Sequence, residues 1–238
     1  MDTENRMIGI ALVSGGLDSL VALGIALKEC DQVAALHATY GQRTADRERK
    51  AFEDICAHYD VSWAMVIDLG HIAKFGGSSL TDPDAEIPEG PIFQGIPNTY
   101  VPFRNTNILA AGVSWAEALG AEAVYIGVVE EDSSGYPDCR REFIQNFQRV
   151  VEEGTRPDTD IIIRVPIISL NKTEIIRLGA GLNAPFELTW SCYRNSGDIA
   201  CGNCESCLLR LRAFRRAGIE DPLKYEELSE EAQKFIER

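Results

Sequence analysis

Five short apolar runs, Met7–Val13, Val33–Ala38, Ala64–Asp68, Ala123–Val128 and Ile161–Val165, are separated by stretches with helical spacing. Runs of this length read as strands. Between the second and third, Phe52, Ile55, Cys56 and Tyr59 recur at i, i+3, i+4 and i+7 and mark one buried helical face. Ile108, Gly112, Trp115 and Leu119 do the same between the third and fourth, and Phe143, Phe147, Val150 and Val151 before the fifth. Asn171-Lys-Thr-Glu174 reads as a capping box that opens a further helix. Strands separated by helices pair in parallel through right-handed crossovers. The expected fold is therefore α/β, a doubly wound and mostly parallel sheet of about five strands.

The segment from Phe75 to Val101 departs from this regime. It carries Gly76, Gly77, Pro83, Pro88, Gly90, Pro91, Gly95 and Pro97, too many breakers for a long helix or a central strand. It reads as a long loop, either a lid over the site or a mobile surface insertion. Neither repeats nor low-complexity segments interrupt the 238 residues, enough for one substantial domain with a small appendage. The apolar runs are too short to span a bilayer, and the N-terminus lacks a signal-peptide pattern, so no membrane and a cytoplasmic location are expected. The net charge of −14 argues against nucleic acid as a partner.

The first strand runs into Ser14-Gly-Gly-Leu-Asp-Ser19, and Leu20 to Lys28 continues as a helix. The glycines let the backbone turn sharply and bring its N–H groups to a ligand, the serines add hydroxyls, and the helix N-terminus favours phosphate. Asp18 would repel a bare phosphate, which makes sense if Mg²⁺ bridges the two. The spacing and lysine of a Walker A loop are absent. The string resembles the PP-loop of the N-type ATP pyrophosphatases, which cleave ATP between the α and β phosphates and leave an adenylated substrate.

Ligands of an open α/β sheet collect beyond the carboxyl ends of the strands, and the unusual polar segments of this chain fall there. They are Thr39-Tyr-Gly-Gln-Arg43, Glu130 to Arg140, and Pro166 to Lys172, joined by Pro102-Phe-Arg-Asn105 before a helix. Arg43 and Lys172 stand at helix starts, where the dipole disfavours cations, so an anionic ligand is expected near them. Asp138 also reads as a turn residue after Pro137, and Cys139 as a small buried filler. His37, His58 and His71 lack metal spacing and read as structural.

Four of the seven cysteines, Cys192, Cys201, Cys204 and Cys207, are spaced C-x(8)-C-x(2)-C-x(2)-C. In a reducing cytosol this crowding reads as a metal site. A closed four-thiolate shell suits structural Zn²⁺, with nearby arginines offsetting its charge. The competing reading is an iron–sulfur cluster, but there a proline follows the last cysteine of the run, and here Leu208 does.

These features together resemble the 7-cyano-7-deazaguanine synthase family of queuosine biosynthesis. The matching stretches are Ser14 to Ser19, Tyr40-Gly-Gln-Arg43, Arg104-Asn105, Ser134-Gly-Tyr-Pro-Asp-Cys-Arg140, Leu170-Asn-Lys172, Thr189-Trp-Ser-Cys192 and the last three cysteines. The resemblance implies an adenine nucleotide alpha hydrolase-like domain over residues 1–185 and a zinc-binding helical module over 186–238. It implies an ATP-dependent ligase that converts 7-carboxy-7-deazaguanine and ammonia to the nitrile through an adenylate and an amide, as a homodimer. ATP would lie along Val13, Ser14, Gly15, Gly16, Leu17, Asp18, Ser19, Leu20, Val21, Ala22 and Leu23. Asp18, Ser19 and Lys172 would be catalytic, and Cys192, Cys201, Cys204 and Cys207 would hold Zn²⁺. Substrate would meet Arg43, Arg104, Asn105, Tyr136 by stacking, Asp138 by accepting from ring N–H groups, and Arg140 by pairing the carboxylate. Where Phe103 precedes Arg-Asn, the family leads one to expect a smaller residue such as glycine.

Two rivals differ in class. A PP-loop enzyme thiolating tRNA would use cysteines as sulfur carriers, which the acidic charge and a filled metal shell disfavour. A non-catalytic zinc-stabilised nucleotide-binding module would not need so many polar strand ends. Asp2 after Met1 leaves no N-terminal nucleophilic cysteine, so ammonia is expected to come free or from a partner.

Overall fold

The computed structural model of the chain describes residues 6–90, 95–130 and 135–238. In chain order the elements are β1 (Ile8–Leu12), α1 (Leu17–Glu29), β2 (Gln32–Thr39), α2 (Ala45–His58), β3 (Trp63–Asp68) and α3 (His71–Phe75). Next come α4 (Arg104–Leu119), β4 (Ala123–Ile126), α5 (Arg141–Gly154), β5 (Ile162–Arg164) and α6 (Lys172–Gly181). The chain closes with β6 (Ile199–Ala200), α7 (Glu205–Ala217), β7 (Lys224–Tyr225) and α8 (Glu230–Glu237). Each expected apolar run is a strand of one parallel five-stranded sheet, in the order β3-β2-β1-β4-β5.

That order fixes where the helices go. The chain moves outward from β1 through β2 to β3, then returns to the far side of β1 for β4 and β5. Leu20 and Leu23 of α1, Phe52 and Ile55 of α2, and Ile175 of α6 therefore bury one face of the sheet. Leu109 and Val113 of α4 with Ile144, Phe147 and Val151 of α5 bury the other. Between β1 and β4 the winding reverses, which is where such sheets open a crevice at their carboxyl ends.

Two helical faces differ from the sequence reading. In α4 the buried positions are Asn105, Leu109, Gly112, Val113 and Ala116, while Ile108, Trp115 and Leu119 are only partly buried beside them. Small residues let the helix approach the sheet: a Cβ on Gly112 would stand 2.9 Å from Leu12 Cδ2. In α5 the stripe is Ile144, Phe147 and Val151, and Val150 is 63% exposed. The capping box of α6 is present, with Asn171 Oδ1 accepting from Glu174 N and Glu174 Oε2 accepting from Asn171 N.

Residues 75–90 and 95–101 lack long elements, apart from the end of α3; Pro91 lies outside the described residues. They are nonetheless tied down. Leu80, Ile87 and Val101 share a core with Trp190 and the four clustered cysteines. Glu89 forms an antiparallel bridge with Cys204, and Gly90 N donates to Asn203 O. From α7, the buried Arg210 donates through Nε and Nη2 to both oxygens of Asp221, and through Nη1 to Thr189 Oγ1 at 2.6 Å. The bidentate pair ties α7 to Asp221 just beyond it, and the Thr189 bond ties α7 to the segment leading to Cys192. No helix among the described residues is long and apolar enough to cross a membrane.

Candidate functional site

A cavity of about 270 Å³ opens at the reversal point between β1 and β4. One wall is the turn after β1. Gly15 has φ +88, and a Cβ there would lie 2.5 Å from Glu48 O, so only glycine fits between this turn and α2. Ser19 Oγ donates to Gly16 O and accepts from Ser14 N at 3.1 Å, and the two serine hydroxyls are 3.0 Å apart. The serines thus hold the loop open. The N-cap of α1 is Gly16, and no side chain caps the helix, so its first N–H groups face the cavity region unclaimed by a cap.

Across the cavity, α6 begins with Lys172, whose Nζ donates to Asp18 Oδ2 at 2.5 Å. The other oxygen, Asp18 Oδ1, is buried and has no hydrogen-bond partner among the described residues. A carboxylate with one oxygen neutralised and one open, at an uncapped helix start, suits a hard cation. From the second side, the end of β4 presses on the same turn. A Cβ on Gly127 would lie 2.7 Å from Asp18 O, so glycine is required there too.

Tyr40, Glu48, Arg104, Tyr136 and Tyr193 also line the cavity. Arg104 donates through Nη1 to Tyr40 Oη at 3.1 Å and through Nε and Nη2 to Asn105 Oδ1. Glu48 accepts from Thr44 Oγ1 at 2.5 Å and from Gln42 Nε2 at 3.1 Å. Burial pushes the Glu48 carboxyl up, with those two hydrogen bonds opposing. Burial likewise pushes the Tyr40 phenol and the Cys139 thiol up to about 12, so neither ionises near neutrality.

The sulfurs of Cys192, Cys201, Cys204 and Cys207 lie within 4.8 Å of one another, and all four residues are buried. Tetrahedral Zn²⁺ with Zn–S of about 2.3 Å needs sulfurs about 3.8 Å apart; Cys201 Sγ and Cys207 Sγ are 4.0 Å apart. Backbone N–H groups of Arg194, Asn195 and Cys201 point at Cys192 Sγ, and that of Cys204 points at Cys201 Sγ. Such donors suit thiolates, so the residues present fit a metal ion.

The family model described as "Queuosine biosynthesis protein QueC" matches residues 8–218. The 7-cyano-7-deazaguanine synthase of Chlorobium chlorochromatii (strain CaD3) is 52% identical over 221 residues, covering 92% of this chain and 96% of that one. The chain belongs to the QueC family. The relative of the same name in Chlorobaculum parvum is also 52% identical, over 92% of this chain and 97% of its own length. Among solved structures, a 4-thiouridine synthetase in complex with RNA and bound ATP matches at TM-score 0.50 and 16% identity, over 97% of this chain and 50% of that one. At that identity the likeness shows a shared fold. Membership in a queuosine biosynthesis family whose relatives are synthases makes this chain an enzyme.

Within this QueC chain the cavity gathers Val13, Ser14, Gly16, Leu17, Asp18 and Ser19 with Lys172. It also takes in Arg104, Asn105 and Tyr136. Leu20, Val21, Ala22 and Leu23 instead run down α1 into the core. Arg43 is exposed, and its guanidinium donates to the carbonyls of Asp82 and Ala85, pinning the long loop rather than lining the cavity. Arg140 is exposed at the start of α5. Asp138 is buried, and its Oδ2 accepts from Asn105 N at 3.0 Å, capping α4, which lacks a cap of its own. Ser134 and residues 131–133 lie outside the described residues, as does Asp2.

Glu48, Tyr193 and Gly127 escaped the sequence reading. Glu48 sits in the run Asp46-Arg-Glu-Arg-Lys50, which looks like any solvated helix start, and its place in the site comes only from tertiary packing. His37 is buried beneath the turn, its ring stacked on Phe52 and its Nδ1 2.9 Å from Val13 O. A carbonyl only accepts, so Nδ1 carries the proton, and burial holds the pKa below the usual histidine value.

Proposed function

We propose that this chain makes 7-cyano-7-deazaguanine from 7-carboxy-7-deazaguanine, ammonia and ATP. A substrate carboxylate oxygen attacks the α-phosphorus, the bond to the β-phosphate oxygen breaks, and pyrophosphate leaves. Ammonia adds to the acyl adenylate, AMP departs with that oxygen, and loss of a proton gives the amide. The amide oxygen attacks the α-phosphorus of a second ATP and pyrophosphate leaves, after which loss of AMP and of both N–H protons leaves the nitrile.

The observation that carries this reading is the Lys172–Asp18 pair at the uncapped start of α1. N–H groups of residues 15–19 hold the pyrophosphate, and Lys172 offsets the charge that develops as it leaves. Asp18 Oδ1 would hold Mg²⁺, which supplies charge neutralisation across the phosphates. Holding carboxylate against α-phosphate contributes much of the rate. Arg104, on the cavity wall with Lys172 and Arg210, is the substrate-binding arginine placed to pair an anion, the role the sequence also suggests for Arg43 and Arg140.

The remaining parts of the reading are a PP-loop domain over 1–185, a zinc-holding module over 186–238, a homodimer, and a cytoplasmic enzyme fed with small molecules. The four cysteines would hold Zn²⁺, which closes their fold without an open position for chemistry. Mass spectrometry after incubation with 7-carboxy-7-deazaguanine, ATP, Mg²⁺ and an ammonium salt tests the chemistry. The amide should accumulate first and the nitrile follow. ATP consumption with neither product would overturn the proposal.

A further inference from the structure

We propose that Glu48 is the residue that reads the ring: its carboxylate accepts the N1–H and 2-amino hydrogens of the deazaguanine. This rests on the proposed function and assigns one specificity-determining contact within it. A 7-deazaguanine ring presents two adjacent N–H donors on its pyrimidine edge, opposite the C7 carboxylate. Two parallel donors are matched by the two oxygens of one carboxylate, the same geometry that pairs carboxylates with guanidinium groups.

Only two carboxylates line the cavity among the described residues, Asp18 and Glu48. Asp18 is bound to Lys172 at the phosphate turn, where the reacting end of the substrate must lie. Asp138 is turned to Asn105 N and does not line the cavity. Glu48 remains. It is fixed in place: Thr44 Oγ1 holds Oε1, Gln42 Nε2 holds Oε2, and Gln42 Oε1 accepts from Tyr40 N at 2.8 Å. Each carboxylate oxygen accepts one such bond and keeps a second lone pair for a ligand. Tyr40 and Tyr136 line the same cavity, and aromatic side chains are what sites that read an isolated base use beside their hydrogen-bonding groups.

The test compares wild type with Glu48→Gln on 7-carboxy-7-deazaguanine and on its analogue lacking the 2-amino group. Wild type should disfavour the analogue by about 100-fold or more in kcat/KM, because the analogue leaves a buried acceptor unmatched. Glu48→Gln, which keeps the shape and swaps an acceptor for a donor, should lose about 100-fold on the true substrate and most of the discrimination. Its KM for ATP and its metal content should stay within about twofold of wild type, since uniform loss would mark a structural residue. Unchanged discrimination in Glu48→Gln, or equal losses for substrate and ATP, would overturn the inference. Should that variant fail to fold, Glu48→Asp decides: it should retain the preference for the amino compound at reduced kcat/KM, and an indifferent Glu48→Asp would refute the role. A wild type inactive on the acid would instead sink the proposed function itself.

Discussion

Lys172 and Asp18 are 154 residues apart in the chain, and Lys172 Nζ lies 2.5 Å from Asp18 Oδ2. The contact exists because two helices start on the same sheet edge, α1 after β1 and α6 after β5, and both aim their first turns at the reversal point. A cation at the first turn of a helix is unfavourable on its own, so its position is supported by the anion it faces.

Asp18→Asn should therefore lower turnover by at least about 100-fold, the scale for removing one preorganised electrostatic group. Its thermal midpoint should hardly move, since the pair is partly exposed. Metal bound at the cysteines should be unaffected. Steady-state rates with elemental analysis of the same preparation check this, and a fully active variant would refute the assignment of Asp18.

Cys204→Ala should strip the metal and loosen the long loop together. Cys204 bridges Glu89, its neighbour Asn203 accepts from Gly90 N, and Glu89 also pairs with Arg194. Metal bound at the cysteines should fall from about one per chain to near none, with faster proteolysis at residues 75–90. A metal-replete variant with wild-type protease resistance would contradict the coupling.

The sheet was legible in the sequence because each strand declares itself locally: a short apolar run ended by breakers needs no tertiary information. The turn Ser14–Ser19 and the cysteine spacing were legible for the same reason. The inward face of α4 was not. Large residues at Ile108, Trp115 and Leu119 suggested a stripe, but the helix packs close through Gly112, Val113 and Ala116, and the large side chains are left at its flanks. Among the arginines, Arg43, Arg104 and Arg140 look alike in sequence. Only Arg104, on the first turn of α4 at the reversal point, lines the cavity. Asp138 sits in a strand-end segment of the expected kind, yet the unmet N–H of Asn105 claims one of its oxygens.

His37 makes stability depend on pH in a defined direction. Its Nδ1–H is used by Val13 O, and Nε2 is buried without a partner, so protonation would create a second, unmatched donor. Because burial lowers the folded pKa below the ordinary 6.5, the unfolded chain binds more protons as the pH falls through that value. The contribution of His37 to stability is full above pH 6.5 and declines below it. In His37→Leu this part of the decline should disappear, so denaturation curves across that range should show a shallower pH slope than wild type. Equal slopes would show that His37 does not titrate with folding.

Phe103 occupies a place where the resemblance leads one to expect a smaller residue such as glycine, and its φ of +58 is left-handed. That conformation costs a residue with a Cβ about 1–2 kcal/mol. Phe103 is 58% exposed and meets Phe143 edge-on at 6.4 Å, a contact that offsets part of the cost. Phe103→Gly should stay within about 1 kcal/mol of wild type, and Phe103→Val, β-branched and without the ring contact, should lose about 1–2 kcal/mol. Chemical denaturation that ranks valine above glycine would contradict this.

The most direct measurement is the identity of the nucleotide products during nitrile formation, read by phosphorus NMR on the wild-type enzyme. If the turn after β1 holds the β,γ-phosphates while the acceptor attacks the α-phosphorus, AMP and pyrophosphate appear together, two of each for every nitrile. ADP with inorganic phosphate would show that the γ-phosphorus is attacked instead, and the roles given to Asp18, Lys172 and residues 15–19 would fall together.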